Sequence, residues 1–277
     1  MIRLCLMILS LFCTAPVYAE APITGRDQHM IFSRTAVQLE AAKAYHQEVA
    51  RLSSANELDN DPQLLHNVRR ICSQLIAQAI QLKPTAANWP WEVHITSDQE
   101  VDAYSMGGGK LLVGTYFIKS YKLSNDELAV ALAHEIGHVI AEHVREQVSE
   151  AASFDSSALL HTLKVADVIN AMQSDISVYL RLQPLSQLQE MEADDIGIEL
   201  AARAGIPPAA VVSFYAKITR DDNRQSLFNT HGSVAQRIRF VESMAMYAKP
   251  VYEASRGAGR LPNYKFANVE YPLLSHP

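Results

Sequence analysis

The sequence predicts an α+β protein, mainly helical, with a small β-sheet beside one strongly apolar helix. Three observations carry this expectation. Two helical stretches come first, a compact block of strand-like segments follows, and helical patterns occupy much of the remainder. With 277 residues, 48% hydrophobic and 19% charged, the chain can bury a substantial core, and one compact domain is expected.

The N-terminus reads differently from the rest. Arg3 precedes an apolar run from Leu4 to Phe12, and Val17-Tyr18-Ala19 places small or compact residues where a signal peptidase cuts. Residues 1–19 are therefore expected to be a cleaved secretory signal, because the apolar run falls short of the roughly 18 to 20 residues that span a bilayer. Cys13 follows Leu11-Phe12 rather than small residues, which argues against a lipoprotein signal. Loss of the segment removes only one charge, Arg3, and takes the formal net charge from −6 to −7. That balance disfavours nucleic acid and anionic membranes as partners. Cys5 and Cys13 would leave with the signal, so Cys72, on the apolar side of a helical pattern, is expected to be a core residue with no disulfide. No later segment is long and apolar enough to cross a membrane.

Residues 35–52 and 62–82 predict helices, the second capped by Asp61 with Pro62 at its first position and an apolar stripe through Val68, Ile71, Cys72, Leu75 and Ile76. Short strands are expected at Trp91 to Thr96 and Val101 to Ser105. A turn at Met106 to Gly109 leads into a longer strand from Lys110 to Ile118. Ser124 and Glu127 form a capping-box pattern ahead of an apolar helix expected to run to about Gln147. Residues 149–185 are weakly patterned, with some helix between Ser157 and Leu182. Helices follow at 186–204, 207–219 and 234–248, and the segment 249–277 reads as an irregular tail.

The chemistry lies in the apolar helix, at His134-Glu135-Ile136-Gly137-His138. At about 100° per residue the two histidines fall within about 40° of each other, one turn apart, so both imidazoles can reach one ion. Glu135 projects beside them, better placed to accept a proton from an attacking water than to bind metal. Two histidines and a glutamate on an otherwise apolar helix would be costly to bury without a metal and hydrogen-bond partners. Gly137 costs roughly 1 kcal/mol inside a helix, which a close backbone approach beside the site would explain. The residues at the positions of a metzincin's glycine and third histidine are Ala141 and Val144, which excludes that class. A third ligand is expected within Gln189 to Asp194, where Glu190 and Asp194 share a helical face. On composition alone Glu192 and Asp195 compete with them.

With these motifs the chain resembles the gluzincin metallopeptidase family of the CAAX prenyl proteases, HtpX-type and Oma-type proteases, and most of all its soluble periplasmic BepA-like members. That family joins HExxH to a downstream E-x-x-A-D, which Glu190 to Asp194 matches. The resemblance implies a zincin-like metallopeptidase domain over residues 20–248 and one Zn2+ held by His134, His138 and Glu190. It also implies that Asp194 orients a ligand histidine. The Gly108-Gly109 turn fits the same family, as does His231 followed six residues on by Arg237, although Gly232 stands where relatives have proline. The similarity covers roughly residues 60–248 and looks like a minimal, soluble version without membrane spans or a helical-repeat domain.

The resemblance implies the substrates and the compartment, and the residues themselves suggest the roles that come after them. Unfolded or misassembled envelope proteins would be the substrates, in the periplasm, with peripheral association with envelope assembly machinery. Glu135 would act as general base, and His231 or Arg237 would stabilise the oxyanion, or His231 would occupy the fourth zinc position at rest. Substrate is expected to pair with an edge strand within Lys110 to Ile118, and residues 149–185 to fold over the cleft as a lid. A chaperone or assembly factor with a latent zinc site is the competing reading, and a hydrolase of small esters or amides a third.

Overall fold

The structure is a computed structural model that describes residues 17–154, 164–219, 234–257 and 261–266. It begins with an antiparallel hairpin of β1 (Val17–Glu20) and β2 (Asp27–Met30), paired from Val17 with Met30 to Glu20 with Asp27. Sequence reading gave no sign of it, because four-residue strands carry almost no periodic signal. Helix α1 (Arg34–Ser54) follows, with the Ser33 side chain accepting from Ala36 N. In α2 (Pro62–Leu82), Asp61 caps Leu64 N and Pro62 opens the first turn, as expected.

The sheet comprises β3 (Glu92–Thr96), β4 (Ala103–Met106) and β5 (Lys110–Gly114) in the order β3-β5-β4. β5 is parallel to β3 and antiparallel to β4. Two expectations are corrected here. The strand expected over Lys110 to Ile118 ends at Gly114, where the chain enters the short helix α3 (Thr115–Ser120). The reason lies in Gly114: a Cβ there would lie 1.8 Å from the Val101 carbonyl oxygen, so the backbone is pressed against the preceding loop. The same strand is central rather than an edge, with all five residues buried, so β3 and β4 are the edges.

Helix α4 (Asn125–Ile140) is the centre of the molecule. Ser124 and Glu127 form the expected capping box, and every residue from Glu127 to Gly137 is buried. α2, the sheet and the later helices contribute to one core around it. Free Cys72 is fully buried in that core, and burial pushes its thiol up to about 12.

The apolar helix was expected to continue to about Gln147, but it stops at Ile140. Glu142 adopts a left-handed conformation (φ 57°), and α5 (His143–Ser153) sets off in a new direction. A residue other than glycine pays for that conformation, and here four charged contacts hold it in place. The buried Glu142 carboxylate accepts from Arg34 at 2.6 and 2.9 Å, and lies 3.0 Å from Lys83 and 3.1 Å from Arg145. Burial opposes its charge, yet Arg34 and Lys83 outweigh burial and hold its pKa down to about 2.

Two helices are longer than their sequence patterns. After α6 (Val165–Ser174), α7 spans Ile176–Arg203, starting ten residues before the expected 186 because Asp175 caps Ser177 N and Pro184 is tolerated inside. α8 (Pro208–Ile218) follows its expected bounds, and α9 covers Val234–Gly257 with Pro250 inside. Residues 249–257 are therefore helical, not part of an irregular tail. Residues 261–266 have no regular structure, but Tyr264 N donates to the Ser73 carbonyl of α2 at 3.1 Å. No helix among the described residues is long and apolar enough to cross a membrane.

Candidate metal centre

The site forms where α4 crosses α7. Backbones approach closely there because each helix offers a glycine. A Cβ on Gly137 would lie 2.9 Å from the Ala193 carbonyl oxygen, and one on Gly197 would lie 2.8 Å from His134 N. The close approach expected of Gly137 is thus present, with Gly197 as an unanticipated counterpart.

Across this crossing His134, His138 and Glu190 bring one donor atom each to within 4.8 Å of one another. Nε2 of His134 lies 3.4 Å from Glu190 Oε2, and Nε2 of His138 lies 3.3 Å from Glu190 Oε1. The two imidazole nitrogens are 3.0 Å apart. Two imidazoles and one carboxylate converging in this way form the donor set that zinc takes in three-ligand sites, so the residues fit the ion. His134 and Glu190 are buried and His138 is partly exposed, so solvent reaches the cluster from the His138 side.

Each histidine is held from behind by a different partner. His134 Nδ1 is 2.8 Å from Asp194 Oδ1, and the Tyr215 hydroxyl of α8 donates to the same oxygen. Asp194 thus stands behind His134, and Tyr215, which was not foreseen, stands behind Asp194. Burial disfavours a charged His134, but Asp194 and Glu190 outweigh burial and raise its pKa to about 9. Glu190 is held well below the usual carboxylate range: burial opposes this, and His138 and His134 prevail. Both directions describe donors whose negative and positive partners are already gathered, and a bound cation would replace the proton on His134.

His138 Nδ1 meets His143 Nδ1 at 2.8 Å. His143 is fully buried, and burial lowers its pKa to about 4, so it is neutral at pH 7 and able to accept from His138. On an unbroken helix five residues turn about 500°, which would aim His143 about 140° away from His138. The left-handed Glu142 turns it back, and no spacing rule could have found it. Glu192, a competitor for the third ligand position, faces His143 instead (3.5 Å between Nε2 and Oε2) and is bound by Arg26 of the hairpin. Asp195 is half-buried, and neighbouring carboxylates add to burial in raising its pKa.

Glu135 lies on α4 beside the cluster, buried, with the Ser105 side chain of β4 hydrogen-bonded to it. Burial raises its pKa against the pull of His134 and His138, the direction that suits a carboxylate accepting a proton near neutrality. His231 lies outside the described residues, and Arg237 falls in α9 with its side chain outside them. Part of the expected lid, residues 155–163, also lies outside them, whereas α6 and the start of α7 pack with α5 and α1 in a second apolar cluster.

The sequence profile of peptidase family M48 matches residues 62–245. The chain belongs to this family. It is 32% identical over 154 residues to the mitochondrial metalloendopeptidase OMA1 of Arabidopsis thaliana, covering 54% of this chain and 31% of the relative. The OMA1 protein of Saccharomyces cerevisiae is 26% identical over 252 residues, 85% of this chain and 71% of the relative. The beta-barrel assembly-enhancing protease of Escherichia coli K12 is 23% identical over 253 residues, 86% of this chain and 50% of the relative. The chain thus spans between about a third and about seven tenths of these relatives. The family is one of peptidases, and the relatives named are two metalloendopeptidases and a protease.

Proposed function

We propose that the protein is a zinc-dependent endopeptidase in which His134, His138 and Glu190 hold the metal and Glu135 is the general base. The observation that carries the reading is the convergence of three ligand atoms within 4.8 Å beside a buried glutamate. Zinc held there would polarise the scissile carbonyl and lower the pKa of a water toward about 7. Glu135 then takes the proton of the attacking water and delivers it to the leaving amine, a contribution of about 10²- to 10⁴-fold. Asp194 fixes the tautomer of His134 with Nε2 free for the ion. His231 and Arg237 are assigned to the developing oxyanion, or His231 to the fourth metal position at rest.

Substrate is proposed to lie extended along β4 rather than β5. β4 is the edge whose Ser105 touches Glu135, and its outer side pairs with no strand among the described residues. Unfolded or misassembled envelope proteins are the proposed substrates, in the periplasm after removal of residues 1–19, a cleavage that takes Val17–Ala19 of β1 and leaves Arg26 and β2 in the mature chain, with peripheral association with envelope assembly machinery. The names of the S. cerevisiae and E. coli relatives, a mitochondrial metalloendopeptidase and a beta-barrel assembly-enhancing protease, support a protease with a part in assembly.

The test is Glu135→Gln in the full chain. Zinc content stays at one per chain, cleavage of unfolded casein is lost, and amide exchange along Ala103–Met106 slows when the variant holds casein. Full cleavage by this variant overturns the mechanism. A latent site in an assembly factor is the second reading, favoured by the burial of His134, Glu135 and Glu190. Chelator-insensitive absence of casein cleavage by the wild type, with zinc bound, would select it.

A further inference from the structure

Behind His138 the structure gathers a group that the proposed mechanism does not use. Glu146 of α5 and Glu192 of α7 are both buried and face one another, an arrangement that is costly unless a cation lies between them. His143, Glu146 and Glu192 bring one donor atom each to within 4.8 Å of one another, near enough to share one cation. The cation is already supplied by the chain. Arg26, between the strands of the N-terminal hairpin and ahead of the family-matched segment, donates to both oxygens of Glu146 at 2.6 and 2.7 Å. Its Nε and Nη2 donate to Glu192 Oε2 at 2.9 and 2.6 Å, and the Thr24 hydroxyl donates to Glu192 Oε1 at 2.7 Å. A planar guanidinium meets both carboxylates along fixed directions, which a point charge does not.

The consequence reaches His138. With Glu192 fixed, its carboxylate faces the outer nitrogen of His143 at 3.5 Å, a charge contact short of a hydrogen bond, and that charge favours the tautomer with a proton on Nε2. Nδ1 of His143 is then an acceptor for Nδ1–H of His138, and Nε2 of His138 is left unprotonated toward Glu190. We infer that Arg26 is a positioning residue for the metal centre: it clamps Glu192 and so sets the tautomer and orientation of the His138 ligand, and it fills the place of a second metal. The inference rests on the metallopeptidase reading, since it concerns the ion that His134, His138 and Glu190 would hold.

The experiment compares full-length wild type with Arg26→Ala, Arg26→Lys and Ser149→Ala. Ser149 Oγ accepts from Ile31 N, the residue after β2, at 3.0 Å, so its loss loosens the anchorage of the same segment without touching the clamp. Zinc affinity is read by competition with a chromophoric chelator, stoichiometry by elemental analysis, and ligand geometry by the visible bands of Co2+ at the same site. Wild type is expected to hold one zinc. Arg26→Ala binds it about 10- to 100-fold more weakly with altered cobalt bands, the usual effect of losing a partner behind a ligand. Arg26→Lys falls between and keeps the test open if the alanine variant does not fold, while Ser149→Ala matches wild type. The inference is overturned if Arg26→Ala, or Arg26→Lys should the former not fold, binds zinc as tightly as wild type with the same cobalt bands. It is equally overturned if Ser149→Ala weakens zinc as much as the arginine variants, or if wild type holds two zinc ions. A wild type that binds no zinc removes the metallopeptidase reading and this inference together, an outcome distinct from failure of the arginine role alone.

Discussion

The two halves of the metal cluster are built by different means. His134 leans directly on a carboxylate, Asp194, which is itself pinned by Tyr215. His138 leans on a neutral imidazole, His143, and on that side the nearest carboxylate, Glu192, is one residue further out and tied to Arg26. A carboxylate in direct contact both fixes a tautomer and raises ligand basicity, whereas an imidazole fixes the tautomer with little charge. The His134 half should therefore carry more of the metal affinity, and the His138 half should be the one open to adjustment from elsewhere in the fold.

The strongest way to break this comparison is to replace each partner by an amide of similar size. Asp194→Asn removes the charge and can turn a donor toward His134 Nδ1, which favours the wrong tautomer. It is expected to weaken zinc about 100-fold, and His143→Gln about 10-fold, the two ends of the usual range for such partners. Competition titrations on both variants check the order. Equal losses, or a larger loss in His143→Gln, would show that direct carboxylate contact does not distinguish the two halves.

A smaller effect addresses the crossing that both halves share. Gly197→Ala drives a methyl group to 2.8 Å from His134 N, against backbone that cannot swing aside. Overpacking of this kind costs about 1 to 3 kcal/mol, and the melting temperature of the metal-free protein is expected to fall by about 2 to 4 °C per kcal/mol. Gly107→Ala is the control, since its added methyl would meet Ala41 at an ordinary 3.6 Å. If Gly197→Ala melts with wild type, the close crossing is not what holds α4 against α7.

How much of this was legible in the chain follows the same division. Glu190 and Asp194 needed the family motif to be chosen over Glu192 and Asp195, whereas His134, Glu135 and His138 are set by helical spacing and the capping residues Asp61, Ser124 and Glu127 speak for their own helices. These interactions are local, so a periodic reading finds them. His143, Tyr215 and Arg26 act across the fold, and their positions depend on a left-handed residue, a later helix and a hairpin of two four-residue strands. The central place of β5 was hidden for a similar reason, because sequence order does not give strand order. Pro184 and Pro250 stand inside α7 and α9, and neighbouring turns and packing carry both helices past the bounds of 186 and 248 that their patterns gave.

The smallest effect tests the kink on which the His138 half depends. Glu142 has its pKa held down to about 2 in the folded protein against an ordinary 4.5, with burial opposed and outweighed by Arg34 and Lys83. A depressed carboxylate contributes stability that is complete above about pH 4.5 and is lost as pH falls toward about 2, because the unfolded chain takes up the proton first. Denaturant titrations of the metal-free protein between pH 6 and pH 3 should therefore show a steeper decline for wild type than for Glu142→Gln, whose side chain has nothing to titrate. Near neutral pH the variant should be the less stable of the two, since Arg34, Lys83 and Arg145 lose their anion. The two curves should approach one another toward pH 3. Parallel curves across that range would mean that the charge on Glu142 does not hold the left-handed turn, and that the backbone around His143 is fixed by packing instead.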